Sequence, residues 1–288
     1  MKAEISSPAK INLGLLITGR RADGYHTLDS IMQTIDWMDD LQIETLPGRG
    51  RLELRGNQPS IPWDEGNILH RTYQGLWERF KSLDSLRLTV NKRIPAGAGL
   101  GGGSANAAAF LLYLQRRFNL NIQETERVRL AVSLGADVPF LLQGGTARVR
   151  GIGELVEPLG DLNLPPFVAL NPGIEVSTAR VFSHFVLTNP ESDSTMETFL
   201  SSADPSCLVN QLMPVTVRLY PQILAAEADM RQAGCEVVLM SGSGSTLLGF
   251  GSDPQTGPPD LAWLGKRHRL VRWCCGISRS QYHNRIGA

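Results

Sequence analysis

The chain is poor in cysteine. Cys207, Cys235, Cys274 and Cys275 are too few and too unevenly spaced for a disulfide framework or a zinc site. Free thiols in a reducing cytoplasm are expected. No apolar run approaches the roughly 18–20 residues that span a bilayer, so no membrane partner is expected. The N-terminus, Met-Lys-Ala-Glu-Ile, lacks the apolar core of a secretion signal, which is consistent with a cytoplasmic protein. Excess charge is missing too: 28 Lys and Arg balance 28 Asp and Glu. That balance removes any bulk electrostatic argument for a nucleic-acid partner. Repeats and long low-complexity segments are also absent, and 288 residues suffice for one large domain or two medium ones.

Strand and helix patterns are mixed along the chain. Ile11, Leu13, Leu15 and Ile17 alternate, which predicts a half-buried strand with Lys10 and Asn12 on its opposite face. Asp23-Gly24 marks a turn, and strands are expected at 26–35 and 41–46. Asn67 is placed to cap a helix. Leu86, Leu88 and Val90 alternate into a further strand. Helices are expected over 104–118 and 122–134, the second stopped by Gly135. A Pro- and Gly-rich stretch at 158–166 suggests a domain boundary. Beyond it come a strand near 167–170, a short helix opened by Ser177 and a polar loop at 189–206. Pro221 and Gly234 bracket another helix, and strands at 237–240 and 246–250 flank a second glycine-rich turn. From 264 to 288 there are six basic residues and no acid, read as a solvated tail dispensable for chemistry.

Glycine is abundant where it matters. In Pro95-Ala96-Gly97-Ala98-Gly99-Leu100-Gly101-Gly102-Gly103-Ser104-Ala105-Asn106, five glycines fall within seven residues and a helix-forming run follows. Glycine accepts positive φ and lets a ligand approach bare backbone. Successive N–H groups in such a loop form a concave anion site, and the following helix adds unpaired N–H groups. Ser104 is placed to cap that helix or to bond a phosphate oxygen. The stretch therefore reads as a polyphosphate cradle. Gly97, Gly99 and Gly102 also fit the dinucleotide pattern G-x-G-x-x-G, but Lys92, Arg93 and Pro95 replace the apolar strand that pattern needs. A Walker A lysine is missing, as are the protein-kinase catalytic motifs.

Five further segments accompany the loop. They are Pro8-Ala-Lys-Ile-Asn-Leu, Arg21-Ala-Asp-Gly-Tyr25-His26, Gly66-Asn67-Ile, Gly135-Ala-Asp137-Val-Pro and Met240-Ser241-Gly242-Ser243-Gly244-Ser. Together, in this order, the set resembles the GHMP family of small-molecule kinases. The resemblance implies an α+β fold of two domains, 1–160 and 161–288, with the active site in the inter-domain cleft. It implies transfer of the γ-phosphoryl of ATP to a hydroxyl, with Mg²⁺ accompanying the nucleotide. Asp137 matches the family's catalytic aspartate and Lys10 its lysine partner, an ammonium that would help keep the carboxylate charged. Asn67, Lys92 and Asn106 would line the adenosine side.

The finer spelling implies a cytidine diphosphate-linked methylerythritol as acceptor, phosphorylated on its 2-hydroxyl on the non-mevalonate route to isoprenoid precursors. Tyr25 and Phe182 would sandwich the cytosine while His26 reads its polar edge. Asn12 and Thr178 would meet the sugar side, and Ser241, Gly242, Ser243 and Gly244 would form a second wall. No residue is assigned as a direct metal ligand, although the Ser104 hydroxyl is near the phosphates. A monomer or weak homodimer is expected. A homoserine- or mevalonate-type acceptor would keep the same fold. A dinucleotide-dependent oxidoreductase is the alternative from another class.

Overall fold

The computed structural model describes residues 1–162, 164–187, 194–202, 204–251, 260–268 and 270–287. The chain opens with an antiparallel hairpin of two long strands, β1 (Lys2–Arg20) and β2 (His26–Arg49). Its turn closes through Arg21 N–H to Tyr25 O and Gly24 N–H to Arg21 O. The two strands expected at 26–35 and 41–46 are one, because β2 changes partner along its length. Its first part pairs with β5 (Thr146–Gly151) and its later part with β4 (Asp84–Asn91). With β3 (Leu52–Gly56) and β6 (Leu155–Pro158) the sheet runs β3-β4-β2-β5-β6, and β1 also pairs with β2. Only the β3–β4 pairing is parallel among these ladders.

Helices α1 (Ile68–Phe80), α2 (Gly102–Arg117), α3 (Glu124–Leu134) and α4 (Val138–Gln143) pack with this sheet into one apolar core. Asn67 caps α1 as expected, its Oδ1 accepting from Leu69 N–H at 3.0 Å. Helix α2 is buried nearly all round; Ala105, Ala107, Ala108 and Ala109 are fully covered, and these small side chains allow close approach to its neighbours. The cap of α2 is a correction. Gly101 holds that position with φ 65°, and Ser104 lies inside the first turn. A left-handed residue ends the loop there, so the helix begins two residues earlier than the first hydroxyl.

A second, antiparallel sheet follows the Pro/Gly-rich stretch. It comprises β7 (Phe167–Asn171), β8 (Val237–Met240), β9 (Leu247–Phe250) and β10 (Leu270–Cys274), in the order β10-β7-β9-β8. Around it lie α5 (Thr178–Ser183), α6 (Ser194–Ser202), α7 (Met213–Leu219), α8 (Gln222–Gln232) and α9 (Leu261–Arg267). Ser177 caps α5 as expected. The polar loop expected at 189–206 contains α6, whose Met196 and Phe199 are fully buried; residues 189–193 and Ala203 lie outside the described residues. The Ser/Thr composition hid two apolar residues three positions apart, one helical face.

The basic C-terminal segment is also corrected. It is no solvated tail: it forms α9, β10 and a capped helix, α10 (Arg279–Arg285), with Arg269 outside the described residues. Ile277, Tyr282 and Ile286 enter the core of the first sheet. Tyr282 donates its phenol proton to Leu141 O, and burial pushes that phenol well above its ordinary pKa. Charge counting missed this because Lys266, Arg267, Arg272 and Arg285 stay exposed on elements whose apolar residues turn inward.

β1 joins the two halves. One edge pairs with β2, while along the other Lys10 N–H bonds Leu100 O at 3.0 Å and Leu15 N–H bonds Val209 O at 2.9 Å. Its register with β2 shifts between Pro8 and Lys10 and again between Asn12 and Gly14. Such irregularities re-aim side chains. They bracket the two polar residues that the sequence singles out.

Candidate active site

A cleft of about 1380 Å³ lies between the two halves, lined by the glycine loop, β1, the β1–β2 turn, α5 and the turn after β8. Gly97, Gly99 and Gly101 all have positive φ. A Cβ at Gly101 would lie 2.9 Å from Lys10 Cγ and 3.4 Å from Asp137 Oδ2. Bare backbone is thus required where the loop crosses these two side chains. Gly102, Gly103 and Ser104 continue the cleft wall as the first turn of α2. Their N–H groups precede the first intrahelical bond, from Ala105 N–H to Gly101 O. Among the described residues they are the unpaired donors of a helix start, suited to phosphate oxygens.

Lys10 Nζ stands 3.4 Å from Asp137 Oδ2. The lysine side chain is 5% exposed and the aspartate 27%. Asp137 precedes α4, yet among the described residues its side chain makes no capping bond to that helix. Its carboxylate is left to face the cleft, with Val138, Pro139 and Phe140 buried behind it. Lys10 Nζ also donates to Asn12 Oδ1 at 2.7 Å. Two segments more than a hundred residues apart thus meet as one oppositely charged pair.

On the other side of the loop, Lys92 and Asn106 are tied together. Asn106 Nδ2 donates to Asp39 Oδ2 at 2.9 Å and to Ser7 Oγ at 3.0 Å; Lys92 Nζ pairs with the same carboxylate and with Asn106 Oδ1. Arg93 N–H and Ile94 N–H bond Asp39 Oδ1 at 2.7 and 2.9 Å. Asp39 is fully buried, and its charge is matched by a cation and three neutral donors. Sequence reasoning missed Asp39. The acidic pair Asp39-Asp40 after an apolar run was visible, but its partners lie more than 50 residues away. Asn67 lines the cleft while both ends of its amide serve structure, bonding Leu69 N–H and Pro62 O. Trp63, Ile61 and Ile68, also unforeseen, supply apolar wall beside it.

At the opposite end, His26 stacks obliquely on Phe182, ring centroids 5.5 Å apart, and meets Phe185 edge-on at 6.1 Å. Burial, with Arg20 adding repulsion, lowers the imidazole pKa below its usual value. A neutral ring, both donor and acceptor, is favoured. Tyr25 lies at the mouth, 63% exposed. Thr178 Oγ1 and Ser243 Oγ are 2.7 Å apart across the cleft wall. Gly242 also lines it. Other expected site residues stand behind the surface. Ser241 is buried, receiving Asn12 N–H and donating to Gly99 O at 2.9 Å, so it locks the two glycine segments together. Gly244 backs onto Met240 and Thr216. Leu100 and Ala105 belong to the core. Pro95, Ala96 and Ala98 line the cleft with the glycines.

Comparison with known proteins identifies the family of the chain. Residues 67–145 match the model of the GHMP kinases N terminal domain. A protein of Syntrophomonas wolfei named 4-diphosphocytidyl-2-C-methyl-D-erythritol kinase is 32% identical over 253 residues, covering 85% of this chain and 88% of its own length. The chain belongs to this kinase family. A protein of the same name from Geobacillus thermodenitrificans is 35% identical over 259 residues, covering 87% of the chain and 88% of the relative. A crystal structure of 4-(cytidine 5'-diphospho)-2C-methyl-D-erythritol kinase superposes with a TM-score of 0.78 at 32% identity, covering 96% of this chain and all of that one. The mixed helix-and-sheet kinase fold of the family is therefore that of this chain. Among the described residues, no helix is long and apolar enough to cross a membrane.

Proposed function

We propose that this kinase transfers the γ-phosphoryl of ATP to the 2-hydroxyl of 4-diphosphocytidyl-2-C-methyl-D-erythritol, a step toward isoprenoid precursors. The observation that carries the reading is the Lys10–Asp137 pair, 3.4 Å apart beneath Gly101. Phosphoryl transfer asks a protein for position and charge stabilisation more than for covalent chemistry. The N–H groups of the glycine loop and the first turn of α2 hold the phosphate tail. Asp137 orients the acceptor hydroxyl and takes its proton. A positioned base of this kind is typically worth about 10²–10⁴-fold. Lys10 balances the aspartate and, as the transferred group gains charge, offers it an ammonium.

The adenosine would extend toward Asn67, Trp63 and Lys92. His26 and Phe182 would receive the cytosine, with Tyr25 closing over it from the mouth; aromatic stacking of a base is worth about 1–3 kcal/mol. Thr178 and Ser243 would meet the sugar side, and Asn12 would act there chiefly by holding Lys10. The site would lie between two domains, 1–160 and 161–288, with α10 returning from the second to the first.

ATP in such reactions travels with Mg²⁺, which takes phosphate and water oxygens and few protein ligands. Among the described residues, no three His, Cys, Asp or Glu side chains converge on a metal. The hard oxygens of Ser104 and Asp137, both on the cleft wall, fit the modest share left to the protein. When bound, the ion would neutralise part of the phosphate charge.

The test is ADP release with the cytidine-linked acceptor beside homoserine, mevalonate and galactose. Turnover with the first and background with the rest is expected. Equal or greater turnover with any of the other three would overturn the substrate assignment.

A further inference from the structure

Ser30, fully buried on β2, carries a hydroxyl joined to Lys10 through the side chain of Asn12. Its Oγ donates to Gly14 O at 2.6 Å. With its single proton committed there, the oxygen can only accept, and it accepts from Asn12 Nδ2 at 2.8 Å. The opposite end of that amide, Asn12 Oδ1, accepts from Lys10 Nζ at 2.7 Å. Lys10 Nζ in turn lies 3.4 Å from Asp137 Oδ2. The hydrogen bonds therefore run in one sense from Lys10 through Asn12 and Ser30 to the backbone of Gly14, where the β1 register shifts.

We propose that Ser30 is a positioning residue for phosphoryl transfer: it fixes the Asn12 amide so that its oxygen, never its nitrogen, faces Lys10. This rests on the kinase reading above. A rotated amide would set an NH₂ group against an ammonium, two donors with no acceptor between them. It would also set a carbonyl against a hydroxyl already committed to Gly14. Asn12 is 2% exposed, so water offers little relief for the mismatch. Ser30 has no place on the cleft wall and touches no substrate. Its effect reaches the reaction only through the position of Lys10.

The test compares Ser30→Ala and Ser30→Thr with the unaltered enzyme. Ser30→Ala, which leaves the amide held by Lys10 alone and its buried NH₂ without an acceptor at Ser30, is expected to lower kcat about tenfold while both KM values change less than about twofold. Ser30→Thr keeps the hydroxyl and is expected to hold kcat within about threefold. An unchanged kcat in the alanine protein, or a folded threonine protein as slow as alanine, would overturn the proposal. The unaltered, ligand-free protein supplies an arm that no folding defect can obscure. In its NMR spectrum the Asn12 side-chain amide protons should show stronger cross-relaxation to the Ser30 β protons than to the Lys10 ε protons. The reverse order sinks the proposal. Absence of ADP release in the unaltered enzyme would instead sink the kinase reading, and the NMR result separates the two failures.

Discussion

The imidazole of His26 lies 5.5 Å from the ring of Phe182, centroid to centroid, with 31° between the planes. Burial and Arg20 hold its pKa below the ordinary 6.5. Between that lowered value and 6.5 the folded ring is neutral while the unfolded one is protonated. The stability tied to His26 is therefore complete above 6.5 and declines as pH falls toward the folded value. KM for the cytidine substrate should stay level from pH 8 down to 6.5 and rise only below. A rise centred at or above 6.5 that vanishes in His26→Ala would contradict the neutral-ring assignment.

Asp137→Asn removes the charge and keeps the shape. Its side chain makes no capping bond to α4 among the described residues, so the fold should survive. Binding of ATP and acceptor, read by calorimetry, should persist while kcat falls about 10²–10⁴-fold. Near-normal turnover would remove Asp137 from the chemistry.

Gly101→Ala tests the crossing of loop and pair. The φ of 65° costs an L-residue roughly 1–2 kcal/mol. The new methyl would also press on Lys10 Cγ. We expect a modestly lower Tm and a kcat reduced at least about tenfold, the loss expected for a displaced catalytic group. Full activity at lowered Tm would mean that Lys10 need not sit where it does.

Tyr282→Ala opens a cavity in the first core. A buried aromatic lost this way costs about 3–5 kcal/mol, measurable by urea unfolding. Truncation after Ser280 removes Ile286 as well and should abolish a cooperative transition near the native midpoint. An unchanged midpoint would restore the tail to dispensability.

Burial pushes the Cys235 thiol up to about 11 and the Cys274 thiol to about 12, the latter with Asp36 adding to the effect. Both should resist a thiol reagent at pH 8 in the native state, since the thiolate is the reactive form. Labelling should begin at the half-buried Cys207. Rapid modification of Cys274 without unfolding would show that β10 opens readily.

Local signals were legible where chemistry and backbone coincide. The five glycines of 97–103, the Asn67 cap and the Ser177 cap each announce a geometry that their own neighbours complete. The placement of Lys10 and Asn12 on one strand face followed from period two, and their mutual hydrogen bond bears it out. Less was legible where a partner is distant. Asp39 reads as one acid among many until Lys92, Arg93, Ile94 and Asn106 surround it. The segment 264–288 advertised charge and concealed Ile277, Tyr282 and Ile286, because apolar residues spaced four or five apart stand out only when a core exists to receive them.

The amino-acid order alone determined the left-handed turns of the glycine loop, since glycine spacing sets which backbone conformations are permitted whatever surrounds them. It also supplied the lysine and the aspartate, and their membership in an ordered set of motifs. Only the tertiary structure decided that these two meet, that His26 rests on Phe182, and that the last helix completes the first core. The reason is physical. Backbone torsions are local, whereas a desolvated charge pair or a filled core depends on segments brought together by burial, and no window along the chain contains both partners.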